Sequence, residues 1–217
     1  MMKKMKPGAS KLIATALCVA SLGGVLSACA PLVLGGAAMG ALVATDRRTS
    51  GAQLEDEGIE LRSIGRINEN LGGRVHVNVI SFNRQILLTG EVPSAQDKQL
   101  VEQIVSRVDN VRRVQNELAV LGASSLTQRS SDALITGKVK AAMVDSKDLY
   151  ANAFKVVTER GTVYLMGIVT ERERDRATEL VRSVGGVQKV IRLFEIISEE
   201  ELRRTLPSQS SQPAPKS

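Results

Sequence analysis

The chain has 217 residues, with 29 Lys and Arg against 23 Asp and Glu, a formal charge of +6. Two Cys, one His, no Trp and only five other aromatics argue against a disulfide framework, a zinc or iron–sulfur site, His-dependent catalysis and the stacking surfaces of single-strand nucleic-acid binders. A basic chain still admits an acidic partner, nucleic acid or an anionic membrane.

In chain order, Lys3, Lys4, Lys6 and Lys11 form a basic start, and an apolar stretch runs from Leu12 to about Leu26. It is short and rich in small residues, as in a secretory signal. It ends in Leu26-Ser27-Ala28-Cys29, which resembles the bacterial lipobox. Residues 1–28 are read as a lipoprotein signal peptide and Cys29 as the lipidated N-terminus. Several acyl chains at about 0.8 kcal/mol per methylene hold a protein far better than one myristoyl chain. Ala30, rather than Asp, favours sorting to the outer membrane. Residues 29–53 form a tether. Its apolar part, 31–45, is interrupted by Pro31 and Gly35-Gly36, which disfavour a spanning helix. Asp46 to Gly51 reads as loop.

The remainder repeats itself. Val79-Ile80-Ser81 and Ile86 to Val92 return as Val156-Val157-Thr158 and Val163 to Val169, at an offset of 77. Ile104-Val105, Val108, Val111 and Val114 return as Leu180-Val181, Val184, Val187 and Val190, at an offset of 76. That period is too long for a solenoid and predicts two tandem modules, 54–121 and 131–198.

Each module reads as αββαβ. The first helix spans roughly Asp56–Asn70, then Asp132–Asp145. A strand follows at Val75–Ile80 or Phe154–Thr158, a tight turn at Asn83-Arg84 or Arg160-Gly161, and a second strand at Ile86–Gly90 or Val163–Gly167. The next helix is capped by Ser94 and Asp97 or by Thr170 and Glu173. It is expected to bury Leu100, Ile104, Val105 and Val108, or Ala177, Leu180, Val181 and Val184. The last strand is Val111–Leu121 or Val187–Ile197. The fold class is α+β: a three-stranded mixed sheet per module, with both helices on one face. Modules of this size are individually marginal. Ser124–Ser131 reads as a polar linker. Residues 199–217 read as a short helix end followed by a Ser/Gln/Pro tail expected to be disordered.

The repeated strand, Gly90 or Gly167, charged helix and closing Gly-Val or Asn-Val strand resemble the BON-domain family. The stretch from Val163 to Glu173 is an especially close match. Two such modules behind a lipobox resemble the tandem-BON lipoproteins of Gram-negative outer membranes. The resemblance implies a non-enzymatic protein, lipid-anchored to the outer membrane and facing the periplasm. It also implies binding of anionic phospholipid through the second module, support of envelope integrity and enrichment at division sites. Carried over by position, the lipid-binding residues are Leu134, Ile135, Lys138, Val139, Lys140, Met143 and Val144. No cofactor, metal, nucleic acid or small-molecule substrate is implied.

Charge agrees in part. The signal removes four lysines, leaving 25 basic against 23 acidic residues. Module one has 8 basic and 10 acidic residues and module two 11 and 9, so the more basic module is the one expected to meet anionic lipid. Ile135, Val139 and Met143 share one helical face, which suits either a membrane contact or a core with the lysines as a solvated rim. Leu134 lies off that line and discriminates between them. Gly90 and Gly167 read as structural glycines at a strand end. His76 has no companion ligand and reads as a surface or edge residue. Glu171 to Arg176 alternates in sign, as a solvated helix face does. The alternative function is a protein–protein adaptor in envelope assembly, using an exposed sheet face and the charged helix.

Overall fold

The computed structural model describes residues 46–122 and 124–205. The lipobox, Cys29, the apolar tether and the C-terminal tail lie outside the described residues. In module one, α1 (Ser50–Leu71) leads to the hairpin β1 (His76–Phe82) and β2 (Gln85–Val92), then α2 (Ala95–Ser106), β3 (Arg113–Asn116) and β4 (Ala119–Val120). Module two repeats this with α3 (Leu126–Asp145), β5 (Phe154–Glu159), β6 (Thr162–Val169), α4 (Glu171–Arg182) and β7 (Lys189–Ile196), and α5 (Glu199–Thr205) closes the described chain. The hairpins are antiparallel, and the last strands return parallel to β2 and β6, so each sheet is mixed with its middle strand central. The chain is therefore two tandem αββαβ modules.

Alternation along the central strands sorts the core. Ile86, Leu88 and Val92 of β2 pack with Ile59, Ile67 and Leu71 of α1 and Val101 and Val105 of α2. Val163, Leu165 and Val169 of β6 do the same with Ile135, Val139 and Met143 of α3 and Ala177 and Val181 of α4. Both helices thus cover one sheet face in each module.

A buried aspartate locks each hairpin to its first helix. The turn residues Asn83 and Arg84, and Arg160 and Gly161, all have positive φ, as a twist-matched two-residue turn requires. Asp56 accepts hydrogen bonds from the backbone N–H groups of Asn83 and Arg84 at 2.7 and 2.8 Å. Asp132 accepts from Arg160 and Gly161 N–H, both at 2.8 Å. The repeat predicted both helices but gave these aspartates no role. Gly90 has φ of +110°, and a Cβ there would stand 2.1 Å from the His76 carbonyl oxygen. Gly167 needs no positive φ, but a Cβ would stand 2.5 Å from the Ala153 oxygen.

Several boundaries differ from expectation. α1 starts at Ser50 and α3 at Leu126, because Thr49 and Ser125 cap them, each accepting from the backbone N–H three residues on. Most of the expected linker 124–131 is therefore helix. The expected strand Val111–Leu121 is broken into β3 and β4, where the Asn116 side chain accepts from Leu118 N–H. Leu100, expected in the core, is exposed, and Val101 takes the buried place.

The other sheet faces are buried too. Phe82 and Leu87 of module one meet Tyr164, Met166 and Leu193 of module two, with Ile80, Val157, Ile168 and Ile191 around them. The exposed sheet face on which the adaptor reading drew is therefore an internal seam. Each side chain fully buried there contributes about 1.5–3 kcal/mol. Ion pairs rim it: Lys155 with Glu60 at 3.2 Å, and Arg160 with Glu91 at 2.6 Å. His76 holds the other Glu91 oxygen at 3.0 Å.

The residues before α1 strap the modules together. Arg47 makes a two-pronged pair with Glu173, both contacts at 2.7 Å, and donates to the Ile168 carbonyl at 2.8 Å. The two side chains are 3% and 0% exposed. Glu173 also accepts from Thr170 N–H as part of the α4 capping box. Arg48 pairs with Asp56 at 2.8 Å and lies 4.2 Å over the Phe82 ring. Removing one partner of a buried pair strands the other charge. Arg47→Ala is expected to cost about 3–5 kcal/mol, read as a lowered urea midpoint, with Glu173→Gln in the same chain recovering part of the loss.

Burial works to raise the pKa of Asp56, but the bonds from Ser81, Arg84, Arg48 and Asn83 outweigh it and hold it below the usual range. Burial likewise opposes, and the Arg47 and Thr170 bonds overcome, to depress Glu173. Folded values below the unfolded ones mean the stabilisation is complete above about pH 4–5 and lost as pH falls through the depressed values. Urea midpoints are expected to hold from pH 7 to 5 and drop below about 4; Asp56→Asn should flatten that acid limb. Gly90→Ala, with both positive φ and a backbone collision, should destabilise more than Gly167→Ala in the same titration.

Candidate functional site

Helix α3 carries the predicted lipid-binding residues, and packing divides them. Its inward face holds Ile135, Val139 and Met143, all buried in the module-two core. They have no surface to offer a membrane. Leu134 is 67% and Val144 70% exposed, and Lys138 and Lys140 are exposed as well. Leu126, at the helix start, is 80% exposed. At about 100° per residue, Leu126, Leu134, Gly137, Ala141 and Val144 fall within about a quarter turn of helix, with Lys138 and Lys140 on either side. Gly137 and Ala141 keep the strip flat between the larger side chains. The result is an outward, mostly apolar ridge with Ser130 within it and Lys138, Lys140 and Asp145 at its edges.

Sequence reasoning missed Leu126 because 124–131 reads as polar linker. The signal was present in Ser125, whose side chain accepts from Gln128 N–H and starts the helix. Tyr150, half exposed just past the end of α3, was also passed over.

The equivalent face of α1 has diverged. It exposes Leu54, Leu61 and Ile64, but Glu57 stands among them and Arg62 is held by Glu55 at 2.7 Å. The fold presents two similar outer helices, of which only α3 combines apolar exposure with uncommitted lysines. On α4, the alternating charges satisfy one another: Arg174 pairs with Asp175 and Glu171, and Arg176 with Asp148 and Glu179. Among the described residues, no cluster of three metal-ligating side chains forms, and no helix is long and apolar enough to cross a membrane.

A two-module αββαβ body with paired sheets and a glycine two residues before the end of each central strand defines the class. The chain belongs to the BON-domain family: the BON domain matches residues 55–122 and again 131–198. Among curated proteins it is similar to the outer membrane lipoprotein DolP of Haemophilus influenzae, 34% identical over 174 residues, which cover 79% of this chain and 90% of that protein. It is also similar to a 21 kDa hemolysin of Actinobacillus pleuropneumoniae, 29% identical over 154 residues, 70% of this chain and 79% of that one. Among solved structures, CdsD, a type III secretion structural protein of Chlamydia trachomatis, aligns with a TM-score of 0.29 and 14% identity over 65% of this chain and 95% of its own. A likeness that slight carries no functional weight. The chain is an outer-membrane lipoprotein of the periplasmic face, with two BON domains and a role in the envelope.

Proposed function

We propose that this lipoprotein is anchored through acylated Cys29 and binds anionic phospholipid through the outer face of α3, thereby supporting envelope integrity. The observation that carries the reading is the division of α3: Leu134 and Val144 point outward between Lys138 and Lys140, while Ile135, Val139 and Met143 are committed to the core. The binding surface is thus Leu126, Leu134, Lys138, Lys140 and Val144. Apolar side chains enter the headgroup boundary and the lysines meet the phosphates. The strap at Arg47 and the lipid at Cys29 hold α3 close to a membrane, so a weak contact suffices.

The test uses the chain from residue 46 onward, which removes the lipid anchor but keeps both modules. It is expected to bind phosphatidylglycerol vesicles and not phosphatidylcholine ones. A basic residue near an anionic surface is worth about 1 kcal/mol, so Lys138→Ala with Lys140→Ala should weaken binding about 30-fold. Leu134→Glu should abolish it. Equal binding to both vesicle types would sink the electrostatic part, and an unaffected Leu134→Glu variant the proposed face.

The adaptor reading retains one observation: the exposed Leu54, Leu61 and Ile64 on the acidic outer face of α1. Photocrosslinking from positions 61 and 134 in cells separates the two roles. Lipid adducts at 134 support membrane contact, and a defined protein adduct at 61 supports an adaptor surface on module one.

A further inference from the structure

At one end of the seam between the sheets lies an open cleft of about 360 Å³. Module one supplies Asn83 and Gln85 from its hairpin and Arg112 and Arg113 from the entry to β3; module two supplies Phe194 and Glu195 from β7. Neither module forms this cleft alone.

Its polar groups are unevenly satisfied. The Gln85 side-chain nitrogen is buried and finds no hydrogen-bond partner among the described residues. A buried donor without an acceptor is costly, and this one sits just behind the wall that Gln85 contributes to the cleft. Arg112 has only a loose contact with Glu195, at 3.9 Å and largely in solvent. Arg113 is exposed, and among the described residues no carboxylate lies within ion-pairing distance of it. The Arg112 backbone is pinned by donating to the Arg84 carbonyl at 2.9 Å, which fixes the Arg-Arg pair beside the turn. Asn83 donates to one Glu195 oxygen at 2.6 Å, leaving the other free to accept. Module one is net acidic as a whole, yet two of its eight basic residues, Arg112 and Arg113, meet here.

We propose that this cleft binds an organic phosphate that carries hydroxyl groups, of the glycerol phosphate class. The phosphate oxygens accept from Arg112 and Arg113, since guanidinium groups suit phosphate geometry. A ligand hydroxyl donates to Glu195. Phe194 bounds the cleft from β7, with its ring packed into the module-two core against Phe154 at 5.8 Å. Glu195 is what separates this ligand from bare phosphate, which it repels. The same chemistry is offered by a phospholipid headgroup and by a soluble polyol phosphate.

The experiment titrates the full lipidated chain, in zwitterionic vesicles, with glycerol 3-phosphate and with inorganic phosphate by calorimetry. Glycerol 3-phosphate is expected to bind about tenfold more tightly than inorganic phosphate, Arg113→Ala to weaken it about tenfold, and Glu195→Gln to erase the preference. Arg113 is exposed, so its variant should keep the wild-type unfolding midpoint. Absence of saturable binding, or an Arg113→Ala titration identical to wild type, overturns the proposal. Repeating the titration in phosphatidylglycerol vesicles identifies the source: suppressed binding means that lipid headgroups already fill the cleft, and unchanged binding means a soluble ligand. Leu134→Glu should leave every titration unaltered, so this site and the α3 face stand or fall separately.

Discussion

Phe82 and Leu87 pressed against Tyr164, Met166 and Leu193 form the contact on which the rest of the molecule depends. A three-stranded sheet has two faces, and two helices cover only one. A module of roughly this size buries too small a fraction of its surface to tolerate an apolar face left in water. Packing the two bare faces together removes both at once. It also makes the modules one body, so the outer face of α3 is presented with module one fixed behind it. The Arg47–Glu173 pair then ties the segment before α1 to that body.

Duplication explains why the halves share their local devices. Asp56 and Asp132 hold equivalent turns, and Gly90 and Gly167 admit equivalent close approaches of backbone. Those positions answer to geometry common to both copies. The outer helix faces answer to nothing inside the fold, and there the copies part: Glu57 stands where module two has Ala133, and Gly58 where it has Leu134. The region between the copies is a third environment. Its Arg112 and Arg113 belong to the module with the negative net charge, which shows how little a sum over a module says about the field at one of its edges.

Much of this was legible beforehand. The repeat exposed two αββαβ units, and the 2- and 3.6-residue periods placed their strands and helices. The lipobox read as a lipoprotein signal, and Ala30 pointed to the outer membrane. Errors gathered where side chains rather than periodicity decide. Ser125 extended α3 backward through a segment that looks like linker. Asn116 interrupted an otherwise continuous strand. The pattern could not say whether Ile135, Val139 and Met143 or their neighbours faced solvent, because a helix with apolar residues on both sides offers two candidate inner faces, and only contact with β5, β6 and α4 chooses between them.

Alone, the sequence determined the number of modules, their element order and the family, since these rest on local patterns and on a repeat along the chain. Tertiary structure decided that the second sheet faces are internal, that Arg47 closes on Glu173 126 residues away, and that Gln85, Arg113 and Glu195 share one cleft. These pairings join residues from different copies. Period and propensity describe each segment by itself, whereas the partner of an apolar face or a buried charge is fixed only when the whole chain has packed.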